Sequence, residues 1–156
     1  MRRTACLFAV ASLLLIPELT VAQAPDAPFP TLPAGAGQIA ADAPQAFATT
    51  ASGLQYRVLR KGAGGAPQAT STVKVHYHGW FDDGKTFDSS YDRRESIEFP
   101  LDGVIPGWTE GMQLVQPGGM IELVIPGKLG YGPRGMPGAI PPNATLHFLV
   151  ELLEVK

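Results

Sequence analysis

Between Val73 and Phe81 the side chains alternate in character, Val73-Lys74-Val75-His76-Tyr77-His78, and the run continues through Gly79-Trp80-Phe81. Period two places every second side chain on the same face, so this segment is an extended strand with one buried side and one wetter side. Leu54-Gln55-Tyr56-Arg57-Val58 alternates in the same way. Asp82-Asp83-Gly84-Lys85 follows the longer strand as a turn signal, because Asp-Gly readily supplies the positive φ of a tight hairpin, and Phe87 begins the return. Antiparallel β structure with one buried face is therefore the starting constraint.

Further strands are expected at Ser96–Phe99, Met120–Ile125 and Thr145–Val155, the last presenting Leu146, Phe148, Val150 and Leu152 on one side. One helix is expected, over Gly107–Val115, where Trp108, Met112 and Val115 form a single stripe. Pro106 suits its entry and Pro117-Gly118 its exit. Neither the sheet nor the helix has another apolar partner, so the stripe must pack into the sheet. The expected fold class is α+β: a five-stranded bent antiparallel sheet, a half-barrel, wrapped on one short helix. The segment 126–143 is too long for a plain connection and carries Leu129, Tyr131, Met136 and Ile140, which points to a functional loop.

Three regions are expected along the chain. Residues 1–24 read as a secretory signal peptide: Arg2 and Arg3 give a basic start, residues 7–16 an apolar core too short to span a membrane, and Ala22-Gln23-Ala24 a small-x-small cleavage site. Residues 25–51, rich in Ala, Pro, Gly and Gln, read as a flexible linker in which Phe29, Leu32, Ile39 and Phe47 follow no period. Residues 52–156 form the folded domain. Export to a periplasm, or secretion, follows from the first region, with no stable membrane span after cleavage.

The only cysteine, Cys6, lies in that signal, so the mature chain would offer no disulfide and no thiol nucleophile. Removing Arg2, Arg3 and Glu18 leaves 10 basic and 13 acidic residues, a net charge of about −3, which gives no footprint for nucleic acid. His76 and His78 share a strand face like a metal pair, but no third ligand accompanies them, and no metal or cofactor is expected. The absence of a heptad repeat leaves a monomer as the expected state, with pairing through the 25–51 tail as the alternative.

Five ordered motifs add a resemblance. Val75-His76-Tyr77-x-Gly79, Gly84-Lys85-x-Phe87-Asp88-Ser89-Ser90, Val104-Ile105-x-Gly107-Trp108, Tyr131-Gly132 and Ile140-Pro141-Pro142-Asn143-Ala144-Thr145-Leu146 resemble the FKBP-type peptidyl-prolyl cis-trans isomerases, as does the terminal Val150-Glu151-Leu152-Leu153. The likeness spans residues 52–156. It implies a proline-binding apolar pocket between sheet and helix, with Trp108 as its floor and Tyr77, Phe87, Val104, Ile105 and Phe148 as walls. By the same resemblance Asp88, the Ile105 N–H and the Tyr131 hydroxyl are its polar members, and Arg93 pairs with the aspartate. Asp88, Tyr131, Ile105 and Trp108 are then the expected catalytic group.

The implied activity is rotation of X-Pro bonds in exported, unfolded or partly folded polypeptides, assisting their folding. Macrolide immunosuppressant-type molecules are a second implied ligand class. Ile97 stands where relatives often carry an aromatic wall residue, and Met136 and Ala139 stand near Ile140 where human-type members carry histidine and isoleucine; substrate preference and macrolide affinity should differ there. A non-catalytic chaperone using the same groove is the competing reading.

Overall fold

The computed structural model describes residues 27–156; the expected signal peptide lies outside the described residues. The described residues form one antiparallel sheet: β1 (Ala48–Thr49), β2 (Gln55–Arg60), β3 (Thr72–Trp80), β4 (Thr86–Ser89), β5 (Ile97–Pro100), β6 (Met120–Ile125) and β7 (Leu146–Val155). The spatial order is β1-β2-β6-β7-β3-β4, and β5 also pairs with β3. β4 joins β3 at His78–Trp80 and β5 joins it at Thr72–Val75. Together they make one interrupted edge strand, so the five expected strands are present and the two-residue β1 extends them. The interruption is a single helical turn, α1 (Ser90–Arg93), capped by the Ser89 side chain accepting from the Asp92 N–H.

Among the described residues the one substantial helix, α2 (Pro106–Met112), stops three residues before the expected end. Beyond Met112 the chain tightens into i→i+3 bonds, with Leu114 N–H donating to the Gly111 carbonyl at 3.1 Å. Val115 nevertheless stays buried with Trp108 and Met112, so the expected apolar stripe survives the change of helix type. It packs against Val73, Val75, Tyr77, Leu123, Phe148, Val150 and Leu152 on the inner face of the sheet. α2 thus lies in the cup of a bent, open sheet.

The expected flexible linker, residues 25–51, needs correction over its described part. Residues 27–47 lie as a strap across the outer face of the sheet and lead into β1. Phe29, Leu32 and Ile39 pack with Trp80 on a second cluster of Leu59, Met120 and Leu149, and Phe47 is buried. Arg57 anchors the strap. Its NH1 donates to the carbonyls of Ala27 and Gln45 and its NH2 to that of Pro28, each at 2.7 Å, while Nε donates to Glu122 Oε2 at 2.7 Å. The guanidinium also lies over the rings of Phe29 and Phe47, at 4.9 and 4.4 Å from their centroids. The strap carries no helical or alternating pattern because the body supplies its hydrogen bonds, including Arg60 to the Gln38 carbonyl and the Ala40 N–H to the Leu59 carbonyl. Covering explains why β6 is buried on both faces.

Candidate functional site

Where β3, β4, β5 and β7 curve over the start of α2, a pocket of about 490 Å³ opens between sheet and helix. Alternation along the strands aims Tyr77, Phe87, Phe99 and Phe148 into it. Trp108 closes the bottom, meeting Tyr77, Phe99 and Phe148 edge to face at centroid distances of 5.6, 5.2 and 5.3 Å, an arrangement favoured by the ring quadrupoles. Gly103, Val104 and Ile105, in the connection entering α2, complete the lower wall. The Ile105 N–H has no hydrogen-bond partner among the described residues.

The loop after β6 supplies the rim. It is folded rather than loose: short 3-10 turns cover Gly127–Leu129 and Gly132–Arg134, and Met136 and Ile140 exchange backbone hydrogen bonds, each 2.8 Å. Pro137-Gly138 forms the turn between them, Gly138 supplying φ +80° and Ala139 N–H donating to the Met136 carbonyl at 3.0 Å. This small hairpin presents Met136, Ala139 and Ile140 to the pocket, beside Tyr131. Ile140 is buried, whereas Tyr131 and Met136 are 38% and 40% exposed at the mouth.

One polar network faces this apolar surface. The Tyr77 hydroxyl donates to Asp88 Oδ2, Arg93 NH1 pairs with Asp88 Oδ1, and Arg93 NH2 reaches the Tyr77 hydroxyl at 3.1 Å. Burial alone would raise the Asp88 carboxyl, but hydrogen bonds from Tyr77 and Arg93 outweigh it and hold the group below its ordinary value. Burial, then the hydrogen bond to Asp88, pushes the Tyr77 phenol up, so it remains a donor. The Asp88 side chain is 40% exposed, leaving it open to the pocket mouth.

Most residues expected to form the site therefore converge: Tyr77, Phe87, Asp88, Val104, Ile105, Trp108, Tyr131, Met136, Ala139, Ile140 and Phe148 all line the pocket. Arg93 stands behind Asp88 rather than in the lining. Ile97 packs on the core without lining the pocket. Its place is taken by Phe99, two residues along on the same face of β5, a residue whose strand is evident from the sequence but whose place in the site is not. The alternation is the available signal. The histidine pair is engaged elsewhere: His76 Nδ1 shares a hydrogen bond with Ser90 Oγ at 2.9 Å and His78 Nε2 one with Thr86 Oγ1 at 3.3 Å.

Gly79 shows how closely the pocket wall is built. A methyl group there would sit 2.6 Å from the Phe87 ring and 2.9 Å from that of Phe148. Gly79→Ala is expected to tilt both rings, destabilise the domain by about 1–3 kcal/mol and weaken ligand binding. Denaturant unfolding with a proline-peptide titration checks both effects.

A half-barrel cupped on one helix, with an aromatic pocket and few polar groups between them, defines a small-ligand or peptide-side-chain binding domain. The chain belongs to the FKBP-type peptidyl-prolyl cis-trans isomerase family, whose model matches residues 64–153. It is 56% identical over 108 residues to the isomerase FkpA of Escherichia coli K12, covering 69% of this chain and 40% of that protein. It is 48% identical over 142 residues to FkpA of Aeromonas hydrophila, covering 90% of this chain and 53% of that protein. The crystal structure of an isomerase from Pseudomonas syringae superposes with a TM-score of 0.66 at 37% identity, covering 70% of this chain and 80% of that one. The chain thus spans about half the length of these FkpA relatives or less. Among the described residues no helix is long and apolar enough to cross a membrane.

Proposed function

We propose that this chain accelerates cis-trans rotation about X-Pro bonds in unfolded or partly folded polypeptides after export to the periplasm or the medium. The supporting observation is the pocket itself: an aromatic floor and walls with the Tyr77–Asp88–Arg93 network at one side. Rotation breaks no σ bond but must overcome amide resonance, a barrier of roughly 18–20 kcal/mol. A catalyst for it has only to favour the twisted amide over the planar one.

The proline ring enters against Trp108, between Tyr77, Phe99 and Phe148. A twisted amide has lost much of its charge separation, so a water-poor aromatic surround disfavours the planar form more than the twisted one. The free Ile105 N–H and the Tyr131 hydroxyl hold substrate carbonyls in a turned conformation, acting by orientation, each such hydrogen bond contributing about 0.5–1.5 kcal/mol. Asp88, ionised and fixed by Tyr77 and Arg93, sets the field beside the rotating carbonyl. Macrolide-type ligands would compete for the same walls.

Relaxation of a Leu-Pro or Phe-Pro peptide from cis to trans tests the proposal; an unaltered rate with the protein present would overturn it. Because the folded Asp88 carboxyl titrates below its ordinary 3.8, its charge and hydrogen bonds are intact above that value and are lost only as pH falls through the depressed one. Activity is therefore expected to stay flat from about pH 5 to 8, since no histidine lines the pocket, and to fall below about pH 4. A midpoint near pH 6.5 would contradict this assignment. The exposed Tyr131 and Met136 at the mouth favour a second, compatible role in holding unfolded chains. Aggregation suppression that persists in Asp88→Ala would separate holding from rotation.

A further inference from the structure

We propose that the outer face of the sheet is a second polypeptide-binding surface, for extended segments bearing proline and phenylalanine, and that residues 27–47 are its built-in occupant. The proposal stands independently of the pocket on the inner face.

The strap is bound as a peptide ligand would be. Over residues 27–47 its only charged side chain is Asp42, and it contains Ala27-Pro28, Phe29-Pro30, Leu32-Pro33 and Ala43-Pro44. The sheet grips its backbone: Arg57 takes three carbonyls, Arg60 takes that of Gln38, and Glu151 accepts from the Gly37 N–H. Contacts of this kind tolerate many sequences, because every residue has a carbonyl. Selectivity comes from the apolar spots on Leu59, Met120, Leu149 and Trp80 that receive Phe29, Leu32 and Ile39.

The strap leaves part of the outer face open to solvent. Between strap and sheet a cleft of about 490 Å³ remains, walled by Pro28, Phe29, Phe47, Trp80 and Val124 and edged by Glu122 and His147. A cleft as large as the proline pocket, beside a segment held mainly through backbone carbonyls, has room for side chains the strap does not supply. Displacing the strap enlarges the same surface for an external chain of the same chemistry.

The full chain tests this with a fluorescein-labelled peptide copying residues 27–40 as the probe. Phe29→Ser with Leu32→Ser weakens the strap without altering the sheet and is expected to tighten probe binding at least tenfold over the unmodified protein. Adding Arg57→Met together with Glu122→Gln, so that no charge is left buried alone, is expected to abolish that gain. Circular dichroism certifies the fold in each case. Equal binding by the unmodified and strap-weakened proteins, or binding indifferent to Arg57, overturns the proposal. In the unmodified protein, hydrogen exchange provides a second, independent test. The Ala40 amide, bonded to the Leu59 carbonyl at 2.8 Å, is expected to exchange at least tenfold faster than the Leu123 amide of the β6–β7 ladder; equal rates would mean that the strap is permanent core and would overturn the proposal.

Discussion

Trp108→Ala is expected to lower kcat/KM for a Phe-Pro peptide by roughly 10–100-fold and to destabilise the domain by about 3–5 kcal/mol. The two effects have one origin. The indole is 4% exposed and is the surface against which Tyr77, Phe99 and Phe148 set their edges. Removing it leaves a void in the core and takes away the floor on which a proline ring would rest. Trp108→Phe keeps an aromatic floor and should recover much of both losses. Measuring activity well below the unfolding midpoint separates them: a Trp108→Ala protein that remains folded yet turns over substrate normally would sink the assignment of the pocket.

Replacing Arg57 alone by methionine should be nearly as damaging, although it lies on the opposite face of the sheet from the pocket. Breaking a buried ion pair from one side leaves the other charge uncompensated, a loss of about 3–5 kcal/mol. Glu122 is 4% exposed, and three strap carbonyls would lose their donor at the same time. Burial already pushes the Glu122 carboxyl above its ordinary 4.5, with Arg57 opposing that push. Without Arg57 the upward push is opposed only by the smaller effect of His147. A group raised in the folded state contributes its stability below the unfolded value and loses it as pH climbs through the folded one. The deficit of Arg57→Met should therefore shrink as pH falls toward about 4.5, and Glu122→Gln in the same chain should restore part of it at neutral pH. Denaturant midpoints across pH check both.

The contrast between these two residues shows what is legible in the sequence. Trp108 can be placed because it heads a helical stripe and follows a motif, and Tyr77 and Phe148 because strand alternation assigns them a face. Those signals are local and periodic. Arg57 also sits in an alternating strand, yet nothing nearby says that its guanidinium will meet carbonyls 29 and 30 residues earlier in the chain. Aperiodic segments rich in Ala, Pro and Gly look alike whether they are free or strapped down, because their order comes from donors elsewhere. Phe99 escapes notice for a smaller reason: its strand is recognisable, but the resemblance to relatives points to Ile97, one step back on the same face.

The interrupted edge strand has a consequence for the company this molecule keeps. In the role proposed above the molecule would meet chains whose backbone groups are unpaired, and an open sheet rim offers such chains a template on which to add a strand and begin to aggregate. Here one rim is broken by the Ser90–Arg93 turn into two four-residue pieces, and the other ends in the two-residue β1. Neither is long enough to seed an ordered ladder. A half-barrel can therefore keep its pocket open while giving a neighbouring extended chain little to build on.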